Sequence, residues 1–225
     1  MIRAFIFDMD GVIIDSEPIH FEVDLITARH FGADMDKEDL ERFVGMTNPE
    51  MWAIIRAEYG ISHTVDEIIE YQSGRKIRWL DEADIEPIDG IRELLQDLRG
   101  RRIPTGLASS SPRPFIEAVL AKFGIRESFD CVISGEEVPN GKPAPDIYLE
   151  AAKRLGVPPA ACAVLEDSRN GVLAAKRAGM YCIGFANPNS GNQDLSLADR
   201  VVSAIDEIHV EHLLAADGRH DRTLR

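Results

Sequence analysis

Features that would direct the chain to a membrane or to a polyanion are missing from the sequence. No apolar run approaches the roughly 20 residues that a membrane-spanning helix needs. The chain reaches its first acidic residue, Asp8, before a signal-peptide core could form. Lysine and arginine total 25 against 39 aspartates and glutamates, and the net charge is −14. We therefore expect a cytoplasmic protein that binds neither membranes nor nucleic acids.

Cysteine is scarce, and the chain has no internal repeat or low-complexity segment. Cys131, Cys162 and Cys182 are odd in number and lack the spacing of metal ligands, so we expect reduced structural thiols. Hydrophobic residues make up 44% and charged residues 28%, which is ordinary for a soluble globular protein. With 225 residues the chain can bury a large core, as one domain or as a domain that carries an insertion.

The segment after the first acidic motif shows helical patterns only. Its predicted helices are Glu17–Phe31, Lys37–Val44, Pro49–Tyr59 and Val65–Trp79. Ser16 is the expected N-cap of the first helix, and Gly32 and Gly60 are expected helix stops. Nothing in this segment alternates between apolar and polar residues as a half-buried strand would.

Strands and helices alternate after Pro87, and a short apolar strand ending at Phe7 precedes the helical segment. The later predicted strands are Ile103–Ala108, Cys131–Ser134, Ala163–Leu165, Tyr181–Phe185 and Arg200–Ser203, and the helices between them are Arg113–Phe123, Asp146–Leu155 and Gly171–Ala178. This order predicts an α/β protein with a Rossmann-like, mostly parallel sheet, formed by residues 1–14 and 88–215. Residues 15–87 are then an inserted helical cap beyond the carboxyl end of the first strand, where such folds bind ligands, and residues 216–225 are a loose tail.

Two pairs of acidic residues stand at predicted strand ends. Asp8 and Asp10 project to the same side of the first strand, and Glu166 and Asp167 end a later apolar strand. Closely spaced carboxylates repel each other unless a proton or a cation separates them. A hard divalent ion such as magnesium suits these oxygen ligands. The alternative is a polar loop in which Asp167 or Ser168 caps the next helix.

Hydroxyl groups and one lysine complete the polar positions at strand ends. Ser109, Ser110 and Ser111 follow a strand, where their hydroxyls could bind phosphate oxygens or could simply cap the next helix. The segment around Lys142 is not a P-loop, because five residues rather than four separate its glycines and the following prolines lack the amides of a phosphate cradle. Lys142 is therefore predicted to be a fixed point charge, with a solvated lysine as the alternative.

These motifs resemble, in their order along the chain, the four motifs of the haloacid dehalogenase superfamily. They are Phe7-Asp8-Met9-Asp10-Gly11-Val12, the strand end at Ser109, Lys142 before Pro143, and Glu166-Asp167-Ser168. More narrowly, the chain is similar to the branch with a helical cap that contains β-phosphoglucomutase and sugar-phosphate phosphatases. Further similar segments are Asp15-Ser16-Glu17-Pro18, Gly141-Lys142-Pro143-Ala144-Pro145-Asp146 and Ser168-Arg169-Asn170-Gly171-Val172, and the resemblance runs from Met1 to about Glu211.

The resemblance implies a mechanism for phosphoryl transfer. Asp8 would be the nucleophile that forms an aspartyl phosphate, and Asp10 would serve as general acid and then as general base. Ser109 and Lys142 would hold the transferring phosphoryl oxygens. Magnesium would be bound by the Asp8 carboxylate, the Asp10 carbonyl and Asp167, with Glu166 either a ligand or just behind the ligands.

The substrate is less well defined than the chemistry. A mutase must hold a second phosphate with cations, and β-phosphoglucomutase has an arginine at the position of Asn48 and a lysine at the position of Pro112. We therefore favour a phosphatase for a small phosphorylated metabolite such as a sugar phosphate, with a phosphosugar mutase as the alternative. The candidate substrate contacts are His20, Gly45, Asn48, Lys76, Ser110, Ser111 and Arg113.

A receiver-like phospho-signalling domain is an alternative from a different functional class. Such domains also combine strand-end acids, a hydroxyl residue, a lysine and magnesium. Their paired acids precede a phosphorylated aspartate on a later strand, and they lack a large helical insertion, so the sequence disfavours this alternative. For the oligomeric state we expect a monomer or a weak homodimer.

Overall fold

The structure, a computed structural model, describes residues 1–43, 46 and 48–215. It divides into two compact units, one that joins Met1–Asp15 to the chain from Glu86 onward and one formed by Ser16–Ile85. From the sequence, these two boundaries are expected at 14/15 and 87/88. Three predictions concern positions outside the described residues: the loose tail at 216–225, the helix end at Val44 and the substrate contact at Gly45.

The Ser16–Ile85 unit is built from helices. They are α1 (Glu17–His30), α2 (Lys37–Glu41), α3 (Asn48–Tyr59) and α4 (Val65–Glu82), and no strand occurs in the part of this unit that the structure describes. Reciprocal hydrogen bonds begin two of them, between Asp36 and Asp39 at α2 and between Thr64 and Glu67 at α4. Apolar side chains from all four helices form one core, in which Trp52 is completely buried.

The other unit contains a six-stranded sheet. Its strands are β1 (Ala4–Phe7), β2 (Thr105–Ser109), β3 (Cys131–Ser134), β4 (Cys162–Glu166), β5 (Tyr181–Phe185) and β6 (Arg200–Val202), parallel throughout and in the order β3-β2-β1-β4-β5-β6. Because β1 pairs with both β2 and β4, Phe7 lies opposite Leu107 on one side and Leu165 on the other. The carboxyl ends of these three strands therefore meet at one edge of the sheet, which is where parallel α/β folds bind ligands.

Within the described residues, five α-helices accompany the sheet. They are α5 (Ile91–Gly100), α6 (Arg113–Phe123), α7 (Asp146–Leu155), α8 (Arg169–Arg177) and α9 (Val210–Ala215). On α7 the residues Ile147, Tyr148, Ala151 and Ala152 recur at helical spacing and are buried, which explains why this segment forms a helix against the sheet. Strands β1 to β4 are buried at every position, as expected for parallel strands covered by helices. The predicted α/β class with a parallel sheet is confirmed.

Helices α5 and α9 are not among the helices predicted from the sequence. Helix α5 carries a complete apolar stripe at Ile91, Leu94, Leu95 and Leu98, so its signal is present in the sequence, whereas the six residues of α9 are too few to show a period. Strand β2 begins two positions later than predicted because Pro104 has no N–H for the ladder. None of the helices in the described ranges is both long enough and apolar enough to cross a membrane.

The three cysteines are free thiols inside the sheet unit. Cys131, Cys162 and Cys182 are all buried, and burial raises the pKa of the Cys182 thiol to about 12. Such thiols stay protonated at neutral pH and behave as small apolar side chains. Their placement agrees with a structural role.

Candidate active site

Asp8 stands at the carboxyl end of β1 and begins the site. Its backbone N–H donates to the carbonyl of Leu165 at 3.0 Å, which continues the pairing of β1 with β4 beyond the strand. Its side chain is only 9% exposed. Three residues on, Gly11 turns the chain with a φ of +73°, and a Cβ there would lie 2.0 Å from an oxygen of Asp167. Only glycine permits both this backbone conformation and this close approach.

Lys142 connects the acidic residues of the two strands. Its Nζ donates to Asp8 Oδ1 at 2.6 Å, to Glu166 Oε1 at 2.6 Å and to the carbonyl of Ala108 at 3.3 Å. The side chain is 7% exposed, so the alternative of a solvated lysine is wrong. Burial alone would lower the pKa of Lys142, but the carboxylates of Asp8 and Glu166 outweigh it and hold that pKa above its ordinary value. Lys142 is therefore a permanent cation in the site.

Glu166 is the completely buried last residue of β4. Besides Lys142, its Oε1 accepts a hydrogen bond from the Tyr148 hydroxyl at 2.7 Å. Its Oε2 accepts from both the backbone N–H and the hydroxyl of Ser168 at 3.0 Å. Ser168 in turn caps α8 by accepting from the N–H of Gly171, so this part of the capping alternative is confirmed while Asp167 has another role.

Asp8, Glu166 and Asp167 form the acidic cluster that was predicted to bind magnesium. One carboxylate oxygen of each lies within 4.8 Å of the others, and all three side chains are buried. Burial raises the pKa of Asp167 to about 7, and the neighbouring Glu166 acts in the same direction against a hydrogen bond from the Ser190 hydroxyl. Burial likewise raises the pKa of Asp8 well above its usual range, because Lys142 opposes the effect only in part.

This cluster suits a divalent cation. Three buried carboxylates lie near one lysine, and burial, to which the neighbouring acids add, raises the pKa values of Asp8 and Asp167. The donors are all oxygen atoms, which hard cations such as Mg²⁺ prefer. Asp10, the fourth predicted metal contact, follows in the same turn after β1. The donor set thus fits the predicted cofactor.

Hydroxyl groups at the end of β2 and in the turn after it hold the side chain of Asp10. Ser109 donates to Asp10 Oδ2 at 3.1 Å, and Ser111 donates to the same oxygen at 2.8 Å. Ser109 also accepts from the N–H of Ser111, and its hydroxyl is fully enclosed. Helix α6 begins at Arg113 without a side-chain cap, so the alternative that these serines cap the helix is wrong. Ser110, the third predicted serine, is exposed at this turn.

A loop that the sequence analysis did not single out completes the edge of the sheet. It follows β5 and contributes Asn187, Asn189 and Ser190. Ser190 donates to Asp167 Oδ2 at 2.5 Å, and Asn189 donates to Asp15 Oδ2 at 2.5 Å. The rule that strand ends of a parallel sheet converge could have identified this polar stretch, since it directly follows an apolar strand. Tyr148 was missed for a different reason, because its ring occupies a core position of α7.

Four further substrate contacts are predicted from the sequence, and one of them, Arg113, lies in the sheet unit. Arg113 ion-pairs with Glu117 and Glu137 and donates to the carbonyl of Val132 at 2.7 Å, so the prediction that it offers a cation to substrate is not supported by its placement. The other three, His20, Asn48 and Lys76, belong to the helical unit.

The helical unit brings these three residues to one polar cluster of its own. The Asn48 amide donates to Gln72 Oε1 at 3.0 Å, and the buried Gln72 donates in turn to Asp24. Burial raises the pKa of Asp24, against the opposing charge of Lys76, the hydrogen bond from Gln72 and the charge of His20. The cluster therefore combines a carboxylate, two amides and two basic groups.

Sequence comparison identifies relatives along nearly the whole chain. A model of the haloacid dehalogenase-like hydrolase family matches residues 2–179. Hexitol phosphatase B from Escherichia coli K12 is 36% identical over 219 residues, which cover 95% of this chain and 97% of that protein.

Solved structures show the same similarity. CbbY from Rhodobacter sphaeroides, in complex with xylulose-(1,5)bisphosphate, has a TM-score of 0.84 at 28% identity, with 92% of this chain and 96% of that chain covered. A putative β-phosphoglucomutase from Thermotoga maritima has a TM-score of 0.79 at 31% identity, with 94% of this chain and 99% of that chain covered.

Proposed function

The chain belongs to the haloacid dehalogenase-like hydrolase family, and from this premise we propose that it is a magnesium-dependent phosphatase for a small phosphorylated sugar or sugar alcohol. The observation that carries the proposal is the buried cluster of Asp8, Glu166 and Asp167 with Lys142 between two of them. A nucleophilic carboxylate, a fixed cation and oxygen ligands for a metal ion are the groups that phosphoryl transfer requires. The receiver-like alternative does not agree with membership of a hydrolase family.

In the first chemical step, Asp8 attacks the phosphorus atom and Asp10 supplies a proton to the departing oxygen. A carboxylate oxygen of Asp8 bonds to phosphorus as the bond from phosphorus to the ester oxygen breaks. The departing oxygen takes the proton of the Asp10 carboxyl group. Ser109 and Ser111 support this role because both hydroxyls are bonded to one oxygen of Asp10 and so fix the orientation of the acid.

The second step hydrolyses the aspartyl phosphate. Asp10, now a carboxylate, takes a proton from water as the water oxygen bonds to phosphorus. The bond between phosphorus and the Asp8 oxygen then breaks, which releases inorganic phosphate and restores the carboxylate. Lys142 neutralises charge on the phosphoryl oxygens in both steps.

Magnesium would be held by the Asp8 and Asp167 carboxylates and the Asp10 carbonyl. When bound, it offsets the repulsion between an anionic nucleophile and an anionic phosphoryl group. The raised pKa values of Asp8 and Asp167 support this assignment, because burial and, to a smaller extent, the neighbouring acids disfavour their charged forms, and a bound cation would offset that penalty.

We favour hydrolysis over a mutase reaction because cations for a second phosphate are few. Asn48 stands where β-phosphoglucomutase has an arginine, and its amide is bonded to Gln72. Arg113, which could have compensated, is neutralised by two glutamates of its own unit. The similarity to hexitol phosphatase B supports a phosphomonoester of a sugar or polyol as substrate. The similarity to a putative β-phosphoglucomutase keeps the mutase as the second candidate.

Phosphorus NMR distinguishes the two candidates. The purified protein is incubated with Mg²⁺ and a panel of hexose, pentose and hexitol phosphates, and separately with β-glucose 1-phosphate and a glucose bisphosphate activator. We expect inorganic phosphate to accumulate from at least one monoester and to exceed any glucose 6-phosphate. Rapid formation of glucose 6-phosphate with little free phosphate would favour the mutase, and no turnover of any ester would contradict both candidates.

A further inference from the structure

The hydrogen-bonding capacity of Glu166 is fully used by the protein. Its two oxygens accept four bonds, from Lys142 and Tyr148 at Oε1 and from the N–H and hydroxyl of Ser168 at Oε2. A carboxylate offers about four lone-pair sites, so the number of donors already equals the number of sites. A metal ion could bind Glu166 only if one of these donors left, and the side chain is completely buried.

Asp8 and Asp167 differ from Glu166 in this respect. Among the described side-chain hydrogen bonds, Asp8 accepts one, from Lys142, whereas Asp167 accepts one from Ser190 and one from its own backbone N–H. Each of these carboxylates therefore keeps lone pairs for a cation. By these contacts, Asp8 and Asp167 are suited to metal binding, whereas Glu166 is suited to fixing the positions of Lys142 and Ser168.

Tyr148 holds the same residue pair from the side of α7. Its hydroxyl bonds to the Glu166 oxygen that Lys142 also uses, and its ring centroid lies 4.9 Å from Lys142 Nζ. The ring is completely buried in the core that α7 shares with the sheet. The packing of the ring therefore fixes the position of the hydroxyl group. A rigid aromatic side chain thus fixes Glu166, and Glu166 fixes one of the three donors of the Lys142 ammonium group.

We propose that Glu166 positions Lys142 rather than binding the metal ion, and that Tyr148 is a further positioning residue that acts through Glu166. The inference rests on the proposed function, in which Lys142 neutralises the transferring phosphoryl group. When a phosphoryl group arrives, Lys142 can redirect the donor now on Asp8 or on the carbonyl of Ala108. The bond to Glu166 stays in place and keeps the ammonium group aimed at the same point.

Tyr148→Phe tests this inference because it removes one oxygen atom and leaves the charge and the ring in place. Tyr181→Phe is the matched control, since Tyr181 begins β5 at the end of the strand away from the site. Dissociation constants are measured by calorimetry for Mg²⁺ alone and for inorganic phosphate at saturating Mg²⁺, together with kcat and KM. Asp167→Asn removes a proposed ligand and is the positive control for a loss of Mg²⁺ affinity in the same assay.

For Tyr148→Phe we expect the Mg²⁺ dissociation constant to remain that of the wild type, while phosphate binding weakens by about 3- to 10-fold, as for one lost hydrogen bond. We also expect kcat to fall by about 10-fold, as for removal of a supporting residue in an active site. The Tyr181→Phe control should change none of these quantities.

Two results would overturn the inference. If Glu166 is a ligand, Tyr148 supports a ligand, and Tyr148→Phe should weaken Mg²⁺ binding by about 10- to 100-fold. If neither phosphate binding nor kcat changes, Tyr148 is only a core residue. Should the wild type hydrolyse no phosphoester, the proposed function fails, but the Mg²⁺ and phosphate dissociation constants still decide the inference.

Discussion

The side-chain amide of Asn187 donates a hydrogen bond of 2.9 Å to the carbonyl oxygen of Gly11, although 176 positions separate the two residues in the chain. Asn187 is buried and follows β5, while Gly11 turns the chain after β1. Because β4 lies between these strands in the sheet, the bond links a loop from the second neighbouring strand to the turn that presents Asp8 and Asp10. The site is therefore held by contacts among several strand ends, which single substitutions can test.

Asp8→Asn should abolish turnover and leave the fold intact. The amide has the shape of the carboxylate but cannot act as a nucleophile towards phosphorus, so we expect kcat to fall by about four orders of magnitude or more. The measurement is phosphate release by the purified variant, with circular dichroism as the control for folding. A folded Asp8→Asn protein with activity close to that of the wild type would contradict the proposed mechanism.

Ser190→Ala should weaken magnesium binding. The Ser190 hydroxyl holds Asp167 Oδ2 at 2.5 Å and stabilises its charged form, so its loss leaves a proposed ligand less oriented and more readily protonated. We expect the Mg²⁺ dissociation constant to rise by about 10- to 100-fold, as for other residues that support metal ligands. Ser203→Ala, at an exposed position after β6, is the control. Equal Mg²⁺ affinity in the two variants would show that Ser190 does not support a ligand.

The site residues that can be predicted from the sequence are those that directly follow a recognisable apolar strand. Asp8, Asp10, Glu166 and Asp167 each follow an apolar strand, and parallel strands bring their carboxyl ends to one edge. The contact of Ser190 with Asp167 depends on β5 being the neighbour of β4, which the chain order alone does not specify. Such contacts follow from the tertiary arrangement, so they become visible only when the strand order is known.

Core residues that also serve the site are hidden from sequence analysis for another reason. Tyr148 has the helical spacing of a buried residue, and its ring is indeed buried; only the position of its hydroxyl reveals the bond to Glu166. Arg113 shows the opposite case, because it was predicted as a substrate contact that could compensate for the mutase lysine missing at Pro112. Its charge is instead neutralised by ion pairs with Glu117 and Glu137. No local sequence pattern indicates these ion pairs.

Gly171→Ala should displace the side chain of Glu166 and destabilise the fold. A Cβ at position 171 would lie 1.6 Å from Glu166 Oε1, which Lys142 and Tyr148 hold in place. We expect a loss of about 1–3 kcal/mol in the free energy of unfolding, as for other overpacked sites, and a lower kcat. Gly74→Ala is the control, because a Cβ there meets no atom within 4 Å and alanine should stabilise α4 by about 0.5–1 kcal/mol. The measurement is urea denaturation, and a Gly171→Ala variant as stable as the wild type would contradict this packing.

Magnesium should stabilise the protein more at pH 8 than at pH 5. Burial raises the pKa of Asp167 from an ordinary value of 3.8 to about 7, so between these values the folded protein keeps a proton that the unfolded chain has lost. Without metal, the free energy of unfolding therefore falls as pH rises through this window, by up to about 4 kcal/mol for this group. Asp8 acts in the same direction. Mg²⁺ binds the charged carboxylates and removes the penalty at high pH.

Melting temperatures with and without Mg²⁺ at the two pH values check this expectation. Asp167→Asn, which cannot ionise at this position, should show a weaker pH dependence without metal and a smaller shift with Mg²⁺. The same Mg²⁺-induced shift at pH 5 and pH 8 in the wild type would show that these carboxylates do not control metal binding.

Asn48→Arg should move the substrate preference towards esters with a second anionic group. One new charged hydrogen bond contributes at most about 1–3 kcal/mol, so KM for a hexose bisphosphate should fall relative to KM for the monophosphate. Asn48→Ala is the control, because it removes the bond to Gln72 without adding a charge. Asp24 limits the gain, since Gln72 links it to Asn48 and its carboxylate can neutralise a new guanidinium group. Asn48→Arg combined with Asp24→Asn should therefore show the larger effect, and if even this double variant binds the bisphosphate no better, the preference for hydrolysis is not set by the missing arginine.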